Sequence, residues 1–221
     1  MSLPEDCVIV DDFYRDPGAI RGWALKQAFS NVGKYSFPGW QGEYVVESPA
    51  IVSKMEEALG FPFIIDRQKY TFGGIRLITG FSGKHTKVHS DSVSEWAAMV
   101  YLTPDADLSS GTGFFRHKAT GLSGPPDIRT ALELGYSTPN SFMEDVIYKD
   151  AGNLDAWELT GEVQPVYNRL VAFRGARYYH APLGGGGTEP ESARMTHMFF
   201  FDEGRLQLPP AASVHQSTFA E

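Results

Sequence analysis

The sequence predicts a mainly β protein, a sandwich or jelly roll preceded by a helical N-terminal part. From residue 67 onward, seven short segments rich in aromatic and β-branched residues are separated by turn signals. Segments of this number and length are typical of two-sheet β folds. The 221 residues suit one domain. We expect a helical part over residues 1–66, a β core over 67–204 and a peripheral tail over 205–221.

The helical part shows two helix signatures. Asp16 is placed to cap a helix that begins at Pro17 and runs to about residue 29. Ser48 repeats the cap signal before a second helix, and Gly60 ends it. Residues 30–47 lie between these helices and are punctuated by Gly and Pro, so they predict a long loop that carries aromatic residues.

The β core contains the seven predicted strands, and a short β-type run at residues 7–14 precedes them. The segments are residues 69–81, 95–104, 111–118, 156–165, 168–175, 177–182 and 193–203. An insertion at about residues 120–160 separates the third from the fourth and contains weak helical patterns. Because so long an excursion in a compact domain is often functional, we expect it to form a lid over one end of the β core.

Composition excludes several classes of partner. The 19 basic and 27 acidic residues give a net charge of -8, which disfavours nucleic acid because phosphate neutralisation drives that binding. The single cysteine, Cys7, cannot form an internal disulfide. No apolar stretch reaches the roughly 20 residues of a membrane helix, and the N-terminus lacks a signal-peptide pattern. We therefore expect a cytoplasmic protein with neither a nucleic-acid nor a membrane partner.

The stretch "VHSDSVSEW" carries the first candidate site residues, His89 and Asp91. Residues two apart on a strand project to the same side, so both side chains face one way while Ser90 points away. A second histidine would complete a 2-His-1-carboxylate site, the ligand set of non-haem Fe(II). Alone, the triplet is a weak signal, and a polar strand end is the competing interpretation.

Five other histidines are candidates for the missing ligand: His85, His117, His180, His197 and His215. His180 is favoured because it closes the strand-turn-strand segment that Pro182 ends. We expect the side chains of His85, His117 and His215 to be exposed to solvent. His197 alternates with apolar residues in the last strand, which indicates a core histidine.

In this order, the motifs resemble those of the Fe(II)- and 2-oxoglutarate-dependent dioxygenase superfamily, in its prolyl-hydroxylase-like branch. His89, Asp91 and His180 match its metal motif, and Arg194 and Thr196 of "RMT" match its distal basic motif. The resemblance covers about residues 70–202. "MVYLTPD" and "GTGFF" also look like the strands that follow His-x-Asp in that branch, and "VDDFYRDPGAIRGWAL" looks like the start of bacterial members with unassigned substrates.

This resemblance implies a fold, a cofactor set and a role for each residue. The core would be a double-stranded β-helix, a cupin-like jelly roll, with Fe(II) held by His89, Asp91 and His180. Arg194 and Thr196 would bind the distal carboxylate of 2-oxoglutarate, and Tyr101 would assist. The reaction would use O2 to hydroxylate a small-molecule or peptide substrate, with oxidative decarboxylation of 2-oxoglutarate to succinate and CO2.

The sequence leaves the position of Arg194 open. A glycine-rich segment, residues 184–192, lengthens the hairpin before it, and its glycines suggest mobility. A register slip of one residue would replace Arg194 by Met195 in the interior. Arg174 and Arg177 would then be the rival cations.

Two other functions also remain open. A cupin-type jelly roll could bind another metal without 2-oxoglutarate, because imidazole and carboxylate suit several metals. A β core without a working metal site would be a binding module. The sequence indicates neither the oxidised molecule nor the oligomeric state.

Overall fold

The computed structural model describes residues 2–33 and 38–204. The predicted tail at 205–221, with His215, lies outside the described residues. The strands are β1 Val8–Val10, β2 Phe29–Asn31, β3 Trp40–Val45, β4 Phe63–Ile64, β5 Phe72–Ile78, β6 Trp96–Tyr101, β7 Thr112–His117, β8 Trp157–Val163, β9 Leu170–Phe173, β10 Tyr179–Pro182 and β11 Arg194–Glu203.

The helices are short and lie in two groups. They are α1 Pro17–Ala24, α2 Pro49–Leu59, α3 Ile128–Glu133, α4 Pro139–Phe142 and α5 Tyr148–Asp150, with a π-helical turn at Met143–Ile147 and 3₁₀ turns at Ser82–His85, Leu108–Ser110 and Leu154–Ala156. Within the described ranges, no helix has the length and apolarity that crossing a membrane requires.

The strands form two antiparallel sheets. The larger has the order β1-β9-β6-β11-β5-β3-β2, with β4 also pairing to β11, and the smaller has the order β10-β7-β8. From β6 onward the chain passes repeatedly between the sheets, because β7, β8 and β10 lie in the small sheet while β6, β9 and β11 lie in the large one. This is the topology of a jelly roll. The predicted mainly β fold is therefore confirmed, and each of the seven predicted strands is present.

The N-terminal part differs from its prediction in two ways. Helix α1 ends at Ala24, about five residues early, and the predicted loop contains β2 and β3. Strand β3 pairs with β5, where Trp40 lies opposite Leu77. Pairing with a strand distant in sequence thus overrides the local Gly and Pro signals. The helix caps are as predicted, since Asp16 accepts a hydrogen bond from the Ala19 N–H at 2.9 Å and Gly60 has φ 79°.

The central strands of the large sheet, β5, β6, β9 and β11, are buried on both faces. Its outer face packs under α1 and α2 in a core that includes Phe13, Met55, Ile75 and Phe199. Its inner face meets the small sheet through the aromatic and sulfur-containing side chains of Met99, Tyr101, Phe114, Phe173 and Met198. Burying one such side chain stabilises the fold by about 1.5–3 kcal/mol. Because both faces are buried, strands such as β6 are apolar throughout and show no polar alternation.

The insertion packs against the outer face of the small sheet. Phe142 and Ile147 are buried against Phe115, Trp157 and Tyr179. No residue between 120 and 160 lines the cavity described below. The predicted lid is therefore wrong, because the apolar side chains of the insertion cover the back of the sheet instead.

The insertion also explains the burial of His117, which we expected to be exposed. The His117 side chain is fully buried, and its Nε2 lies 3.0 Å from the Asp150 carboxylate. Its Nδ1 lies 3.1 Å from the Thr120 hydroxyl. A partner 33 residues away, supplied by the insertion, thus compensates for the lost hydration of the ring.

Candidate metal centre and cavity

His89 and His180 lie directly opposite each other in an isolated antiparallel bridge. The His89 N–H donates to the His180 carbonyl at 3.0 Å, and the His180 N–H donates to the His89 carbonyl at 2.8 Å. The predicted strand around His89 is reduced to this bridge, which extends the small sheet beyond β10. It holds the two imidazole rings with their centroids 4.5 Å apart.

Backbone carbonyls fix the orientation of both rings. His89 Nδ1 lies 2.9 Å from the Lys87 carbonyl, and His180 Nδ1 lies 2.9 Å from the Tyr178 carbonyl. A carbonyl oxygen only accepts hydrogen bonds, so each Nδ1 carries a proton and donates it. Each Nε2 of the neutral ring then presents a lone pair, and such an outer hydrogen bond is the usual support of a metal-binding histidine.

Asp91 completes the cluster. Its Oδ1 lies 4.0 Å from His89 Nε2, and its Oδ2 lies 3.9 Å from His180 Nε2. The Asp91 N–H donates to the Gly175 carbonyl at 2.9 Å, which brings this carboxylate beside the end of β9. Only glycine allows that approach, because a Cβ at residue 175 would lie 1.9 Å from Asp91 Oδ2.

The three side chains fit a divalent metal ion. One ligand atom from each lies within 4.8 Å of the others. Bonds of about 2.1 Å to one ion place two ligand atoms at most about 4.2 Å apart. Small side-chain rotations are therefore enough to bring all three ligand atoms within bonding distance of one ion. Asp91 Oδ2 is buried and has no hydrogen-bond partner among the described residues, which is costly unless a ligand is bound.

The protonation state of His180 suits the same role. Burial, followed by the charge of His89, lowers the pKa of His180 to about 4, despite the opposing effect of Asp91. At neutral pH the imidazole is uncharged, which is the form that binds metals.

The triad opens into a cavity of about 290 Å³ between the two sheets. The lining residues from the barrel wall are Arg76, Ile78, Ala97, Met99, Thr112, Pro182, Arg194, Thr196, Met198 and Phe200. Lys69, Tyr70, Ser92 and Val93 line it as well, and Val93 is 57% exposed, so this side is the mouth. Ser90 also lines the cavity, although we expected it to point away.

Arg194 lies in the wall of this cavity, in the predicted register. It is buried and lies opposite Ile78 of β5, while Thr196 lies opposite both Arg76 and Tyr101. The hydrogen bonds that the Arg194 guanidinium donates to described residues are long, at 3.3 Å to the Gly111 carbonyl and 3.4 Å to the Thr112 hydroxyl. Its buried Nε has no partner within residues 2–33 and 38–204. A buried cation with an unused donor fits an anionic ligand.

The glycine-rich segment before Arg194 fixes this register. The Gly186 N–H donates to the Ile78 carbonyl at 2.9 Å, and the Gly187 N–H donates to the Ser192 carbonyl at 2.7 Å. A Cβ at residue 185 would lie 2.0 Å from the Thr79 carbonyl oxygen. The glycines therefore permit close backbone packing rather than the mobility that we expected.

The remaining predicted residues divide between the cavity wall and the protein interior. Thr196 lines the cavity. Tyr101 does not, and its hydroxyl is 2.7 Å from the Thr112 hydroxyl. The Tyr101 ring instead lies under the Arg194 guanidinium, 5.2 Å from centroid to cation, so it supports that side chain.

Neither rival arginine enters the cavity. Arg174 pairs with Asp6 and Glu203, and Arg177 is exposed. Arg76 also lines the cavity, beside Thr196. A charged residue in an otherwise apolar strand, "FGGIRLI", is the signal that marks it.

His197 is a buried histidine that belongs to the core and not to the candidate metal centre. Its Nε2–H donates to the Val46 carbonyl at 2.9 Å, so its Nδ1 accepts from the Tyr14 hydroxyl at 2.8 Å. Both ring nitrogens are satisfied within the core. The expectation of a core histidine is thus confirmed.

Comparisons with known proteins give one family, and the solved structures that resemble the chain include two distant likenesses. A model described as "Family of unknown function (DUF6445)" matches residues 80–201, which include every triad residue and Arg194. No curated protein matches the sequence.

Both structural likenesses have low sequence identity. A Pseudomonas putida prolyl-4-hydroxylase is 12% identical with a TM-score of 0.44, over 89% of this chain and 92% of that chain. HygX from Streptomyces hygroscopicus, solved with nickel and 2-oxoglutarate bound, is 13% identical with a TM-score of 0.40, over 90% and 87%. Because both scores lie below 0.5, the fold assignment rests on the strand order given above.

Proposed function

The chain belongs to the family of unknown function DUF6445, and from its cavity we propose that it is an Fe(II)- and 2-oxoglutarate-dependent oxygenase. The proposed reaction is hydroxylation of a small-molecule or peptide substrate. One observation carries the proposal: buried Arg194, with an unused Nε donor, lies in the wall of the same cavity as the His89, Asp91 and His180 triad.

The triad supports the metal part of the proposal. Two neutral imidazoles and one carboxylate form the ligand set of non-haem Fe(II) oxygenases and leave coordination positions for other molecules. With Fe(II) and 2-oxoglutarate bound, the site would use O2 to oxidise a C–H bond of the substrate. This oxidation would be coupled to the conversion of 2-oxoglutarate to succinate and CO2. The protein orients the ligands, since Lys87 and Tyr178 fix the two rings through their carbonyls.

Arg194 supports the cosubstrate part. Its planar guanidinium can bind a carboxylate through two parallel hydrogen bonds, a geometry that lysine cannot reproduce. Thr196 lies two residues further along the same face of β11 and can add a hydroxyl donor. Tyr101 and Thr112 hold the guanidinium from below. This arrangement matches a ligand with one carboxylate for the arginine and a second chelating end for the metal.

The apolar walls support a protected reaction site. Met99, Met198 and Phe200 line the cavity together with the triad. Such side chains exclude bulk water, which protects a reactive centre and strengthens the electrostatic interactions inside it. A concave, mostly apolar site with a few convergent polar groups is typical of small-molecule binding.

The test is a spectroscopic titration under anaerobic conditions. Addition of Fe(II) and 2-oxoglutarate to the protein is expected to produce a visible charge-transfer band. Asp91→Ala and His180→Ala are expected to abolish it, while His85→Ala, at an exposed histidine outside the cavity, keeps it. Admission of O2 is then expected to yield succinate.

Other outcomes would decide between the remaining functions. Metal binding without any effect of 2-oxoglutarate would indicate a cupin-type metal protein. No metal binding by the folded wild-type protein would indicate a binding module. Either result contradicts the proposed function.

A further inference from the structure

Arg174 lies outside the cavity and connects the N-terminal segment, residues 2–7, to three strands of the large sheet. It directly follows β9. Its Nε lies 3.1 Å from the Asp6 carboxylate, and its Nη2 pairs with the Glu203 carboxylate at the end of β11. Its guanidinium lies over the Trp96 ring of β6, with Cζ 4.7 Å from the ring centroid. Arg174 thus joins β9, β11, β6 and the N-terminal segment at one point.

The next residue, Gly175, is in direct contact with the candidate metal ligand Asp91. The Gly175 carbonyl accepts the Asp91 N–H at 2.9 Å, and a Cβ at residue 175 would lie 1.9 Å from Asp91 Oδ2. Asp91 Oδ2 has no hydrogen-bond partner among the described residues. Packing against Gly175 therefore limits where this oxygen can lie, and a shift of the Gly175 backbone would move it.

The turn at residues 174–177 depends on the Arg174 side chain for its attachment. The turn is closed by the Arg177 N–H, which donates to the Arg174 carbonyl at 2.9 Å. Its hydrogen bond towards β6, from the Ala176 N–H to the Glu95 carbonyl, is long at 3.4 Å. Charge-assisted hydrogen bonds are roughly twice as strong as neutral ones. Because the Arg174 side chain is only 19% exposed, solvent screens its ion pairs less than those of surface residues.

A second arginine, at the other end of β9, offers a matched comparison. Arg169 directly precedes β9, and its side chain is also 19% exposed. Its Nε and Nη2 lie 2.6 Å and 2.9 Å from the two carboxylate oxygens of Asp11. Both arginines thus attach β9 to a residue near the N-terminus. Arg169 lies at the end of the strand that is remote from Gly175.

We propose that Arg174 is a positioning residue that holds the turn beside Asp91 and thereby raises the affinity of the triad for a metal ion. The inference rests on the proposed function and deepens it, because it connects the metal site to the N-terminal segment through Asp6. Removal of the Arg174 charge would leave the carboxylates of Asp6 and Glu203 without this partner. The turn would then loosen, and the Asp91 carboxylate would move with it.

The first measurement is metal affinity in the full-length chain. Calorimetric titration of Arg174→Gln with Zn(II) is expected to show an affinity about tenfold below that of the wild type, as when the support of a metal ligand is removed. Arg169→Gln is the matched control and is expected to keep the wild-type affinity. Arg174→Lys keeps the charge but not the planar fork, so it is expected to recover part of the affinity.

The second measurement, amide hydrogen exchange, needs no metal. The Asp91 N–H is expected to exchange about tenfold faster in metal-free Arg174→Gln than in the wild type, because the same loosening of the turn exposes it. The His89 N–H, which donates to the His180 carbonyl, is expected to keep its rate. A general loss of stability would instead accelerate both amides.

The proposal is overturned if Arg174→Gln keeps the wild-type Zn(II) affinity or if Arg169→Gln lowers the affinity as much. Equal acceleration of the Asp91 and His89 amides in Arg174→Gln would also overturn it. Wild-type protein that binds Zn(II) but no 2-oxoglutarate would refute the proposed function, and both measurements would still test Arg174. Wild-type protein that binds no Zn(II) would refute both proposals.

Discussion

Strand β11 presents two faces, and each buries a polar side chain among apolar ones. The cavity face carries Arg194 and Thr196, while the core face carries Met195, His197 and Phe199 under the N-terminal helices. Arg194 is 3% exposed and His197 is 0% exposed, so burial does not distinguish them.

Hydrogen bonding does distinguish the two faces. Both ring nitrogens of His197 have partners, Tyr14 and Val46, whereas Arg194 Nε has none within the described chain. A satisfied buried group is part of the packing, and an unsatisfied one costs free energy unless a ligand pairs with it. The comparison therefore predicts that substitutions on the core face change stability and substitutions on the cavity face change binding.

The largest expected effect is on stability. Phe199→Ala on the core face is expected to cost about 3–5 kcal/mol of unfolding free energy, because it leaves a cavity in a close-packed core. Met198→Ala, one residue away on the cavity face, is expected to cost about 2 kcal/mol, because its side chain already borders open space. Chemical denaturation of the metal-free proteins measures both, and equal losses would break the distinction between the faces.

The pH dependence of stability tests the core face independently. Burial lowers the pKa of His197 to about 4, well below its ordinary value of 6.5. The folded state thus favours the neutral ring. The stability gained from this preference is complete above pH 6.5 and is lost as the pH falls towards 4. The difference between these two pKa values corresponds to about 3 kcal/mol of unfolding free energy. Chemical denaturation of the metal-free wild type and of His197→Gln between pH 7 and 4 measures this loss of stability. If the stability of both proteins falls equally with pH, the effect assigned to His197 is refuted.

A smaller effect is expected at the glycine beside the triad. In Gly175→Ala the new Cβ would displace the Asp91 carboxylate, since it would lie 1.9 Å from Oδ2. Metal affinity is expected to fall about 10–100-fold, as when the support of a ligand is disturbed. Gly152→Ala is the matched control, because a Cβ there meets no atom within 4 Å. Calorimetric titration with Zn(II) measures both variants, and an unchanged affinity in Gly175→Ala would contradict the assigned role of Asp91.

Local patterns predicted much of the β core and the candidate triad. Aromatic and β-branched runs between turn signals identified the core strands, because their burial requires such residues. The spacing of His89 and Asp91 placed both on one side of the chain, and the closing strand singled out His180.

Long-range contacts explain what the sequence did not reveal. Strand β3 forms because β5 accepts it, with Trp40 opposite Leu77, and no local signal encodes that pairing. His117 is buried because the insertion brings Asp150 to it. The register of Arg194 depends on glycines that pack against Ile78 and Thr79, and the same glycines in an open hairpin would have allowed a slip.

The most direct test of the cavity face measures recognition of a distal carboxylate by Arg194. Zn(II)-loaded protein is titrated with 2-oxoglutarate and with 2-oxopentanoate, which keeps the chelating end and replaces the distal carboxylate by a methyl group. The wild type is expected to prefer 2-oxoglutarate by about 10–100-fold, since a buried charge-assisted pair contributes about 1.5–3 kcal/mol. Arg194→Gln is expected to abolish that preference while Zn(II) affinity stays unchanged. Equal binding of the two acids by the wild type, or a preference that persists in Arg194→Gln, would contradict the account.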